Sequence, residues 1–543
     1  MSDAPAGLRP TRWDAVPPGT AATAYASLIL NRVADGMPGD EQPVDWDHAP
    51  LTGGFAPDAP IRLLPLPEAG RGLLADRPAA TLQTITDLCH IADGIAALRL
   101  SVNLNDRPEV HTLARSAKWG RTTASGGGRY TADLWLVQGA GGDLAPGIHR
   151  YSHVHNGWEQ LDGHDRTEEV RAAIGDERAA HRYLVTTIDY WQSAFKYHDF
   201  AYQATAMDAG TLFGTFHRLV GDDVAGTWNM TLDEPALAAV LGIDARDDGV
   251  YAVQAWPAPD AAGGAPATRP DRGAPAAAAG LPVPVPVPAA GAYPIRRGAH
   301  RPQRFPTTLA LQRDHAASPP PTRAVARTLA PVLTPDADRA ARIAALAARE
   351  TSFGRFTGEA VAAGAVRAAL EAGAAAARAL AGGTVRFDAL VSATAVDGLP
   401  AGLHLWRDGR FERLDPEPQD AFLASTYFLQ NYDGRRAAAT VVLCANVFEL
   451  AERDGVRGYR LANAAIGAGC QALLAAATEA GIGSGTALGF DARAHAEHAG
   501  LDLGETSPLL MIMLGRDDPR AGRLDVSATT IAAASGPRIG GRR

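Results

Sequence analysis

Cysteine is scarce in this chain of 543 residues, and so are several other things a function could rest on. The three cysteines, Cys89, Cys444 and Cys470, are widely spaced, and each lies in or beside an apolar stretch. They read as buried thiols in a reduced compartment. Positive charge shows no excess: the net charge of -9 gives no reason to expect nucleic acid or an anionic membrane surface as partner. No apolar window approaches bilayer length. Met1 to Pro18 lack a basic start followed by an apolar run, so no signal peptide is expected and the protein is expected to be soluble and cytoplasmic. There is no dinucleotide-binding glycine fingerprint and no HExxH. His149, His153 and His155 lie on an expected hairpin with no cysteine partners, so they read as solvated residues and no metal is expected.

What the chain does have is length, 46% hydrophobic residues and 20% charged ones, which suit a globular protein of two or three domains. A low-complexity stretch from about Ala258 to Gly298, with alternating Pro-Val from Leu281 to Pro288, favours extended polyproline and divides the chain. The two sides echo each other. Leu144 to His149 with Trp158 to Asp162 recurs as Leu399 to His404 with Phe411 to Asp415, and both read as a β-hairpin. Tyr202 with Gly210 recurs as Tyr459 with Gly467, and Leu241-Gly242-Ile243-Asp244 as Ala499-Gly500-Leu501-Asp502. The spacing between matched residues drifts by only a few positions, so the chain reads as one unit written twice.

Each copy is expected to begin with a helix (Thr81 to Ile95; Glu359 to Ala379). A strand (Leu134 to Val137; Phe387 to Val391), the hairpin and a further strand (Tyr183 to Thr187; Ala439 to Cys444) come next. A long buried helix (Tyr202 to Val220; Tyr459 to Ala480) precedes a last strand (Gly249 to Trp256; Pro508 to Gly515). That is an α+β unit, and its tandem duplication implies an intramolecular pseudo-dimer. The expected boundaries are an N-terminal extension at 1–59, copy 1 at 60–257, a linker at 258–330, copy 2 at 331–520 and a tail at 521–543.

Four segments can carry chemistry. Arg121 to Tyr130 contains Ala124-Ser125-Gly126-Gly127-Gly128 just before a strand; it is either an ordinary turn or a place where backbone N–H groups approach an anion or a flat ring. Arg349 to Phe356 ends the expected helix Ala337 to Arg349. Arg349, Ser352 and Arg355 either form a solvated helix end or grip a phosphate, and Arg516 can add a further positive charge. Gly481 to Gly485 is a helix cap and turn or a ligand contact. Lys196 and Tyr197, in an aromatic run, are either an exposed lysine beside a core tyrosine or two groups able to take a proton from carbon, burial lowering the lysine pKa. Aligning Tyr202 with Tyr459 sets Arg453 opposite Lys196 and Asp454 opposite Tyr197, so the pair belongs to one copy only.

On the Ala-Ser-Gly-Gly-Gly loop at 124–128, the Arg-x-x-Ser-x-x-Arg-Phe motif at 349–356, Gly-Ile-Gly at 481–483 and Lys196-Tyr197, the chain resembles the flavin-dependent nitroreductase fold. The closer likeness is to its SagB-type azoline dehydrogenase branch, over most of 60–257 and 331–520. The resemblance implies FMN bound at a subunit interface and oxidation of thiazolines or oxazolines in a precursor peptide to azoles, with electrons generally returned to oxygen. It places Arg349, Ser352, Arg355 and Arg516 at the phosphate, Gly483 near the ring, Ser125, Gly126 and Gly127 closing the site, Lys196 as base and Tyr197 as relay or positioning donor. Copy 1 has a degraded arginine motif near Gly70 to Arg77, and copy 2 has no Ser-Gly loop before Phe387. Fusion is therefore expected to leave one complete FMN site and one vestigial site. No leader-peptide domain is recognised in Met1 to Pro60, so a cyclodehydratase partner is expected to deliver the peptide. The rival expectations are an NAD(P)H-dependent nitro- or quinone-reductase and a catalytically silent scaffold.

Overall fold

The computed structural model describes residues 21–37, 42–51, 54–64, 74, 81–101, 116–176, 180–221, 228–256, 293, 295, 298, 304–319, 338–349, 356–428 and 432–518. Ser352, Arg355, most of the polyproline stretch, all but Leu74 of the 70–77 segment and the 521–543 tail lie outside the described residues. The helices used below are α1 (Ala21–Asp35), α2 (Leu82–Asp93), α3 (Trp191–Tyr197), α4 (Ala201–Val220), α5 (Glu234–Leu241), α6 (Pro306–Ala317), α7 (Arg339–Ala348), α8 (Ala363–Ala381), α9 (Val447–Glu479) and α10 (Ala492–His498).

Two antiparallel sheets lie on either side of a helical layer. The first comprises β1 (Ile61–Leu63), β2 (Ala132–Gln138), β3 (Gly147–Ser152), β4 (Gly157–Asp162), β5 (Arg182–Asp189), β6 (Trp228–Asn229) and β7 (Asp248–Trp256), in the order β1-β4-β3-β2-β5-β7-β6. The second comprises β8 (Asp388–Ala393), β9 (Gly402–Arg407), β10 (Arg410–Asp415), β11 (Ala439–Ala445), β12 (Gly483–Ala487) and β13 (Ser507–Gly515), in the order β10-β9-β8-β11-β13-β12. Apart from the added edge strand β1, the orders are the same.

The correspondence reaches irregular detail. The first hairpin shifts register between Ile148 and His149, the second between Leu403 and His404. His149 Nε2 bonds Ala145 O at 2.9 Å, and His404 Nε2 bonds Pro400 O at 2.8 Å. The central pairs bulge at Thr186/Thr187 and at Leu443/Cys444. Helices α5 and α10 are capped alike: Asp233 accepts from Ala236 N and Asp491 from Ala494 N, each at 3.0 Å. His149 is buried rather than solvated, and burial pushes it down to about 4. Among the described residues no cluster of His, Cys, Asp and Glu is arranged to hold a metal.

The sheets meet through α4 and α9, whose backbones touch. A side chain at Gly210 would collide with Ala464 O, and one at Gly467 with Met207 O. Tyr202 and Tyr459 stack with centroids 6.4 Å apart, and Tyr25 of α1 sets its ring edge against both. These small residues and tyrosines are the ones that the two sides share in sequence. Helix α9 is 33 residues long and, by length and composition, apolar enough to cross a membrane, contrary to the expectation that no window is. Its apolar surface is packed inside protein, as in the core helix of a soluble fold.

Three further expectations change. Helix α9 starts at Val447, twelve residues before Tyr459, and is broken at Gly455 (φ 61°, ψ -140°). Gly483 to Ala487 form an edge strand, not a turn. Part of the 258–330 linker packs as α6, which buries Thr308, Leu309, Leu311, Gln312 and His315. Together α1 and α6 hold the segment after Tyr197: Tyr25 Oη donates to Asp199 O at 2.6 Å, and Thr308 N donates to Asp199 Oδ1 at 2.8 Å.

Candidate active site

The glycine loop is fastened onto α4 by an acid that sequence reasoning did not single out. Asp208 accepts from Ser125 Oγ at 2.7 Å, from Gly126 N at 2.8 Å and from Thr131 Oγ1 at 3.1 Å. Ser125 Oγ in turn accepts from Tyr130 N at 2.7 Å. Asp208 is fully buried, and burial raises its carboxyl to about 6, the Ser125 and Gly126 bonds pulling the other way. The visible signal was an acid in the middle of the apolar run Ala206-Met207-Asp208-Ala209-Gly210. Ser125 and Gly126 thus build the loop: the Ser125 hydroxyl and the Gly126 N–H are both engaged by Asp208.

Gly127 is the exposed residue at the tip, with φ 59°. A Cβ there would run into Tyr197 Oη and come within 3.1 Å of Lys196 Nζ. Loop and pair are therefore one constellation, and glycine is required by both backbone and space. Lys196 Nζ lies 2.9 Å from Tyr197 Oη, and 4.6 Å from the ring centroid. Burial, then the charge of Arg129, lowers the lysine; burial, then Asp208, pushes the tyrosine up to about 12. The amine is thereby eased toward the proton-free form that can accept, and the phenol keeps its own proton.

The second half reaches this loop by two side chains. Arg349, at the end of α7, donates through Nε to Thr122 O at 2.9 Å and through Nη2 to Arg121 O at 3.3 Å. Gln471 of α9 donates to Thr122 O and accepts from Ala124 N, each at 3.0 Å. At least these two nitrogens of Arg349 hold backbone carbonyls, where sequence reasoning put the guanidinium on a phosphate. Gly483 and Arg516 form a second group. Gly483 pairs with Gly515, the Asp517 carboxylate lies against Gly483, and exposed Arg516 donates to Ala360 O at 3.1 Å. Phe356, which ends the arginine motif, bridges to Asp517.

Residues 346–516 match the family model described as the Nitroreductase family. A putative nitroreductase from Anabaena variabilis superposes with a TM-score of 0.65 at 16% identity, covering 92% of this chain and 100% of that one. The fold is the nitroreductase fold. A putative nitroreductase from Ralstonia eutropha matches at 21% identity over 37% of this chain and 89% of that one, TM-score 0.28. The E. coli microcin synthetase McbBCD complex with truncated pro-microcin bound matches at 17% identity over 44% and 80%, TM-score 0.25. No curated protein matches. Nitroreductase family members are oxidoreductases that generally bind flavin. The ring-side residues suit such a group: Gly127 offers an exposed tip without a side chain, and the Arg129 Nη2 beside it is buried with no hydrogen-bond partner among the described residues.

Proposed function

We propose that this chain is an FMN-dependent dehydrogenase that oxidises thiazoline or oxazoline rings in a ribosomally made peptide to azoles. The observation that carries the reading is the Lys196–Tyr197 pair, seated on the exposed Gly127 turn at 2.9 Å from each other. Converting an azoline to an azole removes one ring hydrogen as a proton and another as a hydride, and FMN, when bound, supplies the hydride acceptor. Lys196, eased toward its neutral form by burial and by Arg129, takes the carbon-bound proton. Tyr197 keeps its proton and orients the amine. Gly127 lets the ring-side backbone come close, and the Asp208 bonds to Ser125 and Gly126 keep that backbone rigid. Gly483 would lie near the ring when FMN is bound, and Arg349, Ser352, Arg355 and Arg516 would hold its phosphate, Arg349 also fastening the two halves through Thr122 O and Arg121 O.

The same reading takes 60–257 and 331–520 as duplicated units forming a pseudo-dimer with one complete site, flanked by the extension at 1–59, the linker at 258–330 and the tail at 521–543. What supports it is the shared strand order, bulges and caps. A cyclodehydratase partner presents the azoline peptide in the cytoplasm.

Removal of a general base typically costs about 10²–10⁴ in rate. Lys196→Ala is expected to lose azole formation by that factor while the purified protein stays yellow. Wild-type turnover in that variant would remove Lys196 from the base role. Flavin content approaching two per chain would refute the single site, and a colourless preparation would favour a non-catalytic scaffold.

A further inference from the structure

Arg129 follows the glycine turn, and its side chain is fixed in place on α3. The guanidinium lies over the Phe195 ring, 4.3 Å from the centroid. Its Nε donates to Gln192 O at 3.0 Å, and Gln192 Nε2 donates back to Arg129 O at 3.2 Å. Gln192 stands one helical turn before Lys196, and Phe195 is its direct neighbour, so the charge is held on the part of α3 that carries the lysine. Among the described residues no carboxylate forms an ion pair with Arg129 or Lys196. The nearby acid, Asp208, already receives Ser125, Gly126 and Thr131.

The second half is an internal comparison. Gln138 opposes Gly147 as Ala393 opposes Gly402, which sets Thr384 at the place of Arg129. The backbone kinks at His198 and Gly455 set Glu449 at the place of Gln192, Glu452 at Phe195, Arg453 at Lys196 and Asp454 at Tyr197. There the cation has its acid: Arg453 Nε lies 2.9 Å from Asp454 Oδ2. In the first half two cations converge and the acids are gone.

We propose that Arg129 is a positioning residue that acts through Lys196, its charge fixed on α3 beside the lysine amine at the Gly127 turn and favouring the form that accepts a proton. The proposal rests on Lys196 being the base in the function proposed above. A like charge disfavours the ammonium form, and water cannot screen it well where the guanidinium and the amine are both largely buried. The groups that face Lys196 are Arg129 from the turn and Tyr197 from its own helix, with Asp208 of α4 acting on Tyr197 from beneath. Among the described residues, Arg129 is thus the charged group that acts on the Lys196 ammonium.

The test reads Lys196 directly. The full-length protein is labelled with acetic anhydride over a range of pH, and the peptide containing Lys196 is followed by mass spectrometry. Arg129→Gln is expected to move half-maximal labelling to higher pH, and Arg129→Lys to bring it back toward wild type. Gln192→Glu keeps Arg129 but gives it the acid that the second half has, and is expected to move labelling upward as well; it serves if Arg129→Gln fails to fold. A midpoint that stays at the wild-type pH in both Arg129→Gln and Gln192→Glu overturns the proposal. The rising limb of kcat/KM against pH for azole formation should follow the labelling midpoint. If labelling moves and the rate profile does not, the electrostatic effect of Arg129 stands and the base assignment of Lys196 falls.

Discussion

Burial acts with opposite sign on the two groups that meet over Gly127: it disfavours the charged lysine and the charged tyrosine alike, which lowers one and raises the other. The division of labour between them therefore follows from the setting they share, provided the loop tip stays where it is. Gly127→Ala tests that proviso. The new methyl meets Tyr197 Oη and must also adopt φ 59°, so the pair moves or the loop does. Displacing reacting groups by about 1 Å can cost on the order of 10² in rate, and the backbone strain is worth about 1–3 kcal/mol. The expected variant is folded, melts at a lower temperature and has lost most of the azole formation proposed for the chain; unchanged kinetics would separate the loop from the pair. Lys196 and Tyr197 were legible in the sequence because neighbours in the chain are neighbours in the site. Asp208 and Gln471 were not, since what they hold lies far away along the chain: the loop comes near Asp208 by packing on α4, and near Gln471 by the crossing of α4 and α9.

At the scale of elements, the segment after the pair is the telling one. Helix α3 ends at a residue with φ 47° and ψ -131°, and the matching break in α9 has φ 61° and ψ -140°. The second half places Gly455 there; the first half places His198, buried, in a conformation that side chains rarely adopt. Such strain is held only where neighbours enforce it, and here Tyr25 and Thr308 grip Asp199 on its far side. A Cβ at Gly455 would meet nothing within 4 Å, so Gly455→Ala isolates the backbone cost, expected at about 1–3 kcal/mol by urea denaturation. His198→Gly relieves the same strain but gives up a buried ring, so its stability should change by no more than about 1 kcal/mol. The proposed azole formation should fall nonetheless, because the turn that aims Lys196 is loosened. Full activity in His198→Gly would mean the strain is incidental. The hairpins, the central strands and the bodies of the long helices were readable from the pattern of apolar residues. The kink was not, because nothing in Lys196-Tyr197-His198-Asp199 announces a backbone that only tertiary contacts impose. Strand β12 was missed for a related reason: Gly-Ser-Gly has no strand propensity, and its pairing with β13 supplies the structure.

For the whole molecule the question is what keeps two halves and the segment between them in one arrangement, and the answer is a buried ion cluster contributed by all three. Glu234 of α5 accepts from Arg460 Nη1 of α9 at 3.0 Å, from Gln312 Nε2 of α6 at 2.9 Å and from Val250 N of β7 at 2.5 Å, and lies 2.6 Å from His315 Nε2 of α6. His315 Nδ1 is buried with no hydrogen-bond partner among the described residues, so the neutral ring carries its proton on Nε2 and donates it to the carboxylate. Burial and the charge of Arg460 hold His315 down to about 4. Burial alone would raise Glu234, but Arg460, His315 and the bonds from His315 and Gln312 outweigh it and hold the carboxyl at about 2. Both folded values lie below the unfolded ones, 6.5 and 4.5, so the unfolded chain binds the extra proton in both windows. Stability is therefore lost as pH falls from about 6.5 to 4 through His315, and further from about 4.5 to 2 through Glu234. Urea denaturation at a series of pH values should show this slope, and His315→Gln should lessen its upper part, to which His90, His149, His153 and His495, also held low by burial, contribute as well. Arg460→Met leaves Glu234 buried without its main countercharge and is expected to cost about 3–5 kcal/mol at neutral pH. Because Arg460 comes from one half and Glu234 from the other, that loss should appear as separation of the halves before either sheet melts, seen as hydrogen exchange in α6 and α9 at denaturant concentrations where far-UV circular dichroism is still native. A variant that unfolds in one step, with wild-type exchange in α6 and α9 until it does, would show that the α4–α9 crossing alone holds the halves together.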